Sequence, residues 1–249
     1  MTAHSGPLDQ AIRETVHHAG GVDLSGDPRE CLSSSAAAVA ALFDVSDEGL
    51  ALLNPEATVE RQVETWVDAG CVADARRLLA HALPPRYSLW WALLCLTEAN
   101  HRNSYPERVT GAFAKVLDFV LNPTDAGRRA CLLAAEDAGS TTAGGVIGSA
   151  AFLSGGSMAP SDCPPVLPAA HLCGRLCGVA VYLASVHFNP AKYKEHLAHF
   201  IGVGLGVARG DVAIPEAAAE IEAEAPAIKA DAEVEKVVIP AEAKGAWSS

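Results

Sequence analysis

The residues best equipped for chemistry lie between positions 163 and 177, where Cys163 is followed by His171, Cys173 and Cys177. Thiolate and imidazole are ligands that zinc favours, and cysteines four apart share one face of a helix. A closed zinc site needs four fixed ligands, and its familiar spacing is Cys-x-x-Cys rather than the Cys-x-x-x-Cys found here. Cysteine also fills small gaps between packed helices. Core packing is therefore the preferred reading of Cys163, His171, Cys173 and Cys177, with a metal- or thiol-dependent site as the alternative and no cofactor expected.

Nine histidines and seven cysteines allow many nucleophile–base pairs, but no catalytic signature surrounds any of them. His17-His18 and His196 with His199 read as helix-surface residues. GVGLGVARG and GGVIGSAAF are glycine-rich but lack the lysine of a phosphate loop and the strand that must precede one, so they read as helix packing. Trp90-Trp91 offers a platform for a ligand or partner, with one ring expected in the core. Arg76-Arg77 and Arg128-Arg129 read as solvated helix surface, with holding the acidic tail or an acidic partner as the weaker reading. No constellation forms a strong catalytic signature, and an enzyme is the less favoured reading.

The elements that must position these residues are helical. Half the residues are hydrophobic, with alanine foremost and only 6% aromatic, which suits close-packed helices. Val59, Val63, Trp66, Val67 and Cys71 recur at helical spacing, and Val109, Phe113, Val116, Leu117 and Val120 repeat the stripe. Pro84-Pro85, Pro106 and Pro123 punctuate the series. Ser88 is the expected N-cap of SLWWALLCLTEAN, which should occupy the centre of the core. Gly144 with Gly148, and Gly174 with Gly178, place small residues where helix backbones can approach. Between these pairs SGGSMAPSDCPPVLP has no pattern of its own and is long for a compact domain.

The fold expected is all-α, an antiparallel helical bundle or short helical array over residues 36–210. Residues 1–35 form a flexible lead with one short helix, and residues 211–249 a disordered acidic tail. Nine acids against three lysines from Asp211 onward supply six of the twelve net negative charges. Val237, Val238 and Ile239 form an apolar island within that tail. Net charge −12 argues against nucleic-acid binding, and no apolar run is long enough for a membrane span. An odd number of scattered cysteines and an N-terminus without a basic-then-apolar leader point to a cytoplasmic protein.

Three blocks resemble a bacterial family of uncharacterised helical proteins. They are Leu83, Pro84, Arg86, Trp90, Trp91 and Ala92; then Gly155, Gly156, Ser157, Ala159 and Pro160; then Val207, Ala208 and Gly210. The resemblance covers roughly residues 60–210, and Cys173 and Cys177 lie outside its pattern. Members are met near type VI secretion or related multiprotein gene sets, so the resemblance implies an accessory role in an assembly and carries no catalytic residue. The function expected is a non-enzymatic adaptor or scaffold for a protein partner. Its candidate contact residues are Arg86, Trp90, Trp91, Ser157, Met158, Pro160, Val237, Val238 and Ile239. A transported cargo recognised through its tail is a further alternative.

Overall fold

The computed structural model describes residues 24–215, apart from 161 and 188. The described residues form eleven α-helices: α1 (Pro28–Ser33), α2 (Ala36–Ala40), α3 (Asp47–Ala51), α4 (Val59–Asp68), α5 (Val72–Ala82), α6 (Pro85–Arg102), α7 (Glu107–Leu121), α8 (Asp125–Ala138), α9 (Ala143–Phe152), α10 (Leu172–Val186) and α11 (Tyr193–Arg209). A short 3-10 turn, Pro190–Lys192, leads into α11. Among the described residues the only β pairing is an isolated bridge between Ser35 and Thr58. The fold is an all-α bundle.

Local chemistry explains where the helices start. Thr58, Thr124 and Thr142 each accept a backbone N–H with their side chain at the head of α4, α8 and α9, satisfying a donor that has no partner within the helix. The cap expected at Ser88 falls elsewhere. Pro85 opens α6 a turn earlier, because its fixed φ suits a first helical turn and it has no N–H to satisfy. Ser88 is instead fully buried, donating from Oγ to the Ala80 carbonyl at 3.4 Å.

α6 lies in the core as expected, with Leu89, Trp91, Ala92, Leu96 and Ala99 fully buried, and α9 shares the centre with it. Nine of the ten residues of α9 are buried, as a helix apolar on all sides requires. It packs on α6, α7, α8 and α10. Glycine makes this possible: a Cβ on Gly148 would stand 2.7 Å from the Cys131 carbonyl oxygen of α8. In α10, a Cβ on Gly174 would collide with the Ala80 carbonyl of α5. Both glycine pairs expected to permit close approach do so.

The boundary expected at residue 35 moves. Residues 24–35 pack on the body, burying Leu24, Cys31 and Leu32. Ala36 N–H donates to the Ala57 carbonyl and Val59 N–H to that of Ser34, both at 3.0 Å. At the other end Gly210 takes a left-handed φ of 86° and closes α11, after which Val212 and Ile214 still touch the core.

Candidate functional site

The loop between α9 and α10 lacks helical periodicity but is built around two arginines. Arg128 of α8 has no exposed surface. Its Nε donates to Asp125 Oδ1 at 2.9 Å, Nη1 to the Phe152 carbonyl at 2.7 Å and Nη2 to the Ser157 carbonyl at 2.6 Å. The guanidinium also lies over the Phe152 ring, 4.7 Å from its centroid. Arg129 donates to the other oxygen of Asp125 at 2.7 Å and to the carbonyls of Ser157 and Ala159 at 3.1 and 2.8 Å. Burial would raise the Asp125 carboxyl, but the hydrogen bonds from Arg129 and Arg128 prevail and hold it below the ordinary range. The expectation that Arg128-Arg129 is solvated surface is corrected: one residue is in the core and the other is half-buried.

Gly156 makes the loop compatible with this arrangement. Its φ is +66°, and a Cβ there would meet Arg128 Nε at 3.1 Å. Ser157 then closes the loop upon itself, its Oγ accepting from Ala159 N–H at 3.1 Å and Val166 N–H at 3.0 Å. Met158 N–H donates to the Val166 carbonyl at 2.7 Å. The result is a knuckle fixed from beneath that carries Met158, Val166 and Leu167 on its outside, with Leu167 66% exposed. Pro160 is exposed as well.

The other sequence candidates are scattered. Arg86 is partly buried and donates from Nε to the Val120 carbonyl at 2.9 Å, tying α6 to the end of α7. Trp91 is wholly buried, with its Nε1 donating to the Phe200 carbonyl at 2.7 Å, so it braces α6 against α11 and offers no contact surface. Trp90 packs against the core at an intermediate depth, and its buried Nε1 has no hydrogen-bond partner. Val237, Val238 and Ile239 lie outside the described residues.

The Cys-His set does not assemble. Cys163 and His171 are exposed, while Cys173 and Cys177 are buried with their sulfurs 4.0 Å apart. Among the described residues no three His, Cys, Asp or Glu side chains converge as metal ligands. The Cys177 thiol and burial together push the Cys173 thiol well above its usual range, which suits an inert core thiol rather than a nucleophile. The alternative that uses these four as one centre is corrected: helical spacing joined the two cysteines but aimed them into the core.

The three blocks that gave the resemblance have structural duties. Leu83, Pro84, Trp91 and Arg86 set the α5–α6 corner and its contacts. Gly156 and Ser157 shape the knuckle. Val207 and Ala208 are buried at the end of α11, and Gly210 terminates it. Residues 62–208, more than half of the chain, match the family of unknown function DUF6931. The chain belongs to DUF6931. No curated protein and no solved structure matches it. In this DUF6931 chain no described helix is long and apolar enough to cross a membrane.

Sequence reasoning missed a second polar feature, a cleft of about 460 Å³ between α5, α10 and the segment after α2. It is lined by Arg76, Arg77, His81, His171 and Arg175, with Leu42, Phe43 and Val179 as its apolar side. Arg76 was expected on solvated surface but is only 8% exposed. Its Nη1 donates to the Gly178 carbonyl at 2.5 Å, while Nε is buried without a partner. Burial foremost, and the adjacent Arg77 charge, bring Arg76 down to about 10. His81 Nδ1 is 2.8 Å from the Arg77 carbonyl; because a carbonyl only accepts, Nδ1 carries the proton. Burial lowers the His81 imidazole, aided by the charges of His171, Arg175 and Arg76 and opposed by that carbonyl.

Proposed function

We propose that this DUF6931 chain is a non-enzymatic adaptor that presents the α9–α10 knuckle to an apolar segment of another protein. The observation that supports it is the combination of three outward apolar side chains, Met158, Val166 and Leu167, with a base held by Arg128, Arg129 and Asp125. A pre-ordered loop loses little conformational entropy on binding, and buried apolar area then contributes at roughly 25 cal/mol per Å². The assembly served is of the bacterial multiprotein, secretion-associated type implied by the sequence resemblance, with the cytoplasm as the place of work.

Affinity capture from the native cell tests this when paired with crosslinking from Cys163, an exposed thiol on the same loop. A stoichiometric partner should crosslink to Cys163 and be lost from the double variant Met158→Ser, Leu167→Ser. A partner retained by that variant, or one that never crosslinks from Cys163, would defeat the reading. Identification of the captured protein separately tests the secretion-type setting.

A further inference from the structure

We propose that the cleft between α5 and α10 is a binding site for the phosphate group of a small organic phosphomonoester, held by Arg76 and Arg175 with His81 and His171 beside it. The proposal is independent of the knuckle and rests on unbalanced charge in a concave place.

Five cationic or titratable nitrogen side chains line the cleft, against one lining carboxylate, that of Asp44. Arg77 is already engaged, donating to the Asp44 carbonyl at 2.9 Å and to Asp74 at 3.3 Å. Asp74 in turn accepts from Ser46 N–H at 3.3 Å and Ser46 Oγ at 2.5 Å, so its charge is committed. Among the described residues, Arg76 and Arg175 have no carboxylate partner. A guanidinium buried as deeply as Arg76 without a counter-charge is costly to the fold. An anion entering the cleft offsets that cost.

The charge, donors and size select the anion. Two unpaired guanidiniums match a dianion, and the planar donor fork suits a tetrahedral phosphate. His81 presents Nε2 without a hydrogen-bond partner, since Nδ1 is held by the Arg77 carbonyl. A protonated His81 becomes a further donor. The cleft volume exceeds what a phosphate alone fills, and Leu42, Phe43 and Val179 offer an apolar wall for the organic part. The Phe43 ring already lies 5.2 Å from that of His81.

Isothermal calorimetry on the full chain, with inorganic phosphate and phenyl phosphate as probes, tests the proposal. Both should bind, with phenyl phosphate the tighter because it also meets the apolar wall. Arg175→Gln, a change at an exposed residue, should weaken both by roughly tenfold or more, the scale of one lost charge-assisted hydrogen bond. The same variant without ligand should keep the wild-type melting temperature, which separates lost binding from lost folding. The ring resonances of His81 should move on titration in wild type, and the variant should need about tenfold more ligand for the same movement. No binding of either probe at tens of millimolar, or equal binding in Arg175→Gln, would overturn the site.

Discussion

Arg128 decides how the α9–α10 loop is built. It is enclosed completely, and its charge is met by Asp125 and two carbonyls. Replacing it with methionine keeps much of the volume but strands the Phe152 carbonyl and leaves Asp125 and the Ser157 carbonyl to Arg129 alone. We expect a loss of about 3 kcal/mol, read from urea unfolding, as for one partner removed from a buried pair. Asp125→Asn should also destabilise, because Arg128 then remains buried without a counter-charge; a loss under about 1 kcal/mol for both would contradict this account. His81 provides a pH test. Its folded-state value lies below the unfolded one, so the unfolded chain binds more protons in acid. The stability tied to neutral His81 is therefore present above the ordinary histidine range and lost as pH falls through the depressed value. Denaturant midpoints at pH 7.5 and pH 5.5 should diverge less in His81→Phe than in wild type. These roles were poorly legible in the sequence, where an Arg-Arg pair on a helix reads as surface. What places Arg128 inside is the return of the chain at Phe152 and Ser157, contacts 24 and 29 residues away that no local spacing announces.

Most of the helices were legible because their signals are local. Proline breaks, threonine caps and apolar stripes act within a turn or two, so α4 to α11 lie close to where the sequence puts them. The Ser88 cap failed because two chemically acceptable helix starts lay one turn apart, and the proline won. The burial of α9 was less legible than that of α6: Trp90-Trp91 advertises a core helix, whereas the small girth that lets neighbours enclose the glycine-rich α9 leaves no such mark. Glycine substitution separates the two kinds of helical glycine. Gly148→Ala drives a Cβ against Cys131 and should cost about 1–3 kcal/mol. Gly111→Ala and Gly202→Ala meet nothing within 4 Å and should stabilise by about 0.5–1 kcal/mol through helix propensity. Thermal melts of the three single variants check this; a shift of the same sign for all three would refute the assignment.

At the scale of the molecule, the three blocks on which the sequence resemblance rests coincide with a corner, the knuckle and the last helix end. They identify architecture, and for that reason they are silent on chemistry. The surfaces proposed for binding, Leu167 and the Arg175 side of the cleft, are exposed positions whose meaning depends on their distant neighbours. The packed unit extends past Gly210, since Val212 and Ile214 rest on it. Truncation after Pro215 should therefore melt higher than truncation after Gly210, by several degrees if each lost side chain contributes about 1 kcal/mol. Equal melting temperatures would place the boundary back at Gly210.

The distribution of thiols makes the protein a ready-made reporter of its own breathing. Cys163 alone is exposed, whereas Cys31, Cys95, Cys131, Cys173 and Cys177 are sealed in α1, α6, α8 and α10. A disulfide reagent should consume Cys163 at once, the half-buried Cys71 next, and the five buried thiols only as each helix opens. Simultaneous release would mark the bundle as one cooperative body, and staggered release would rank its helices by their reluctance to part.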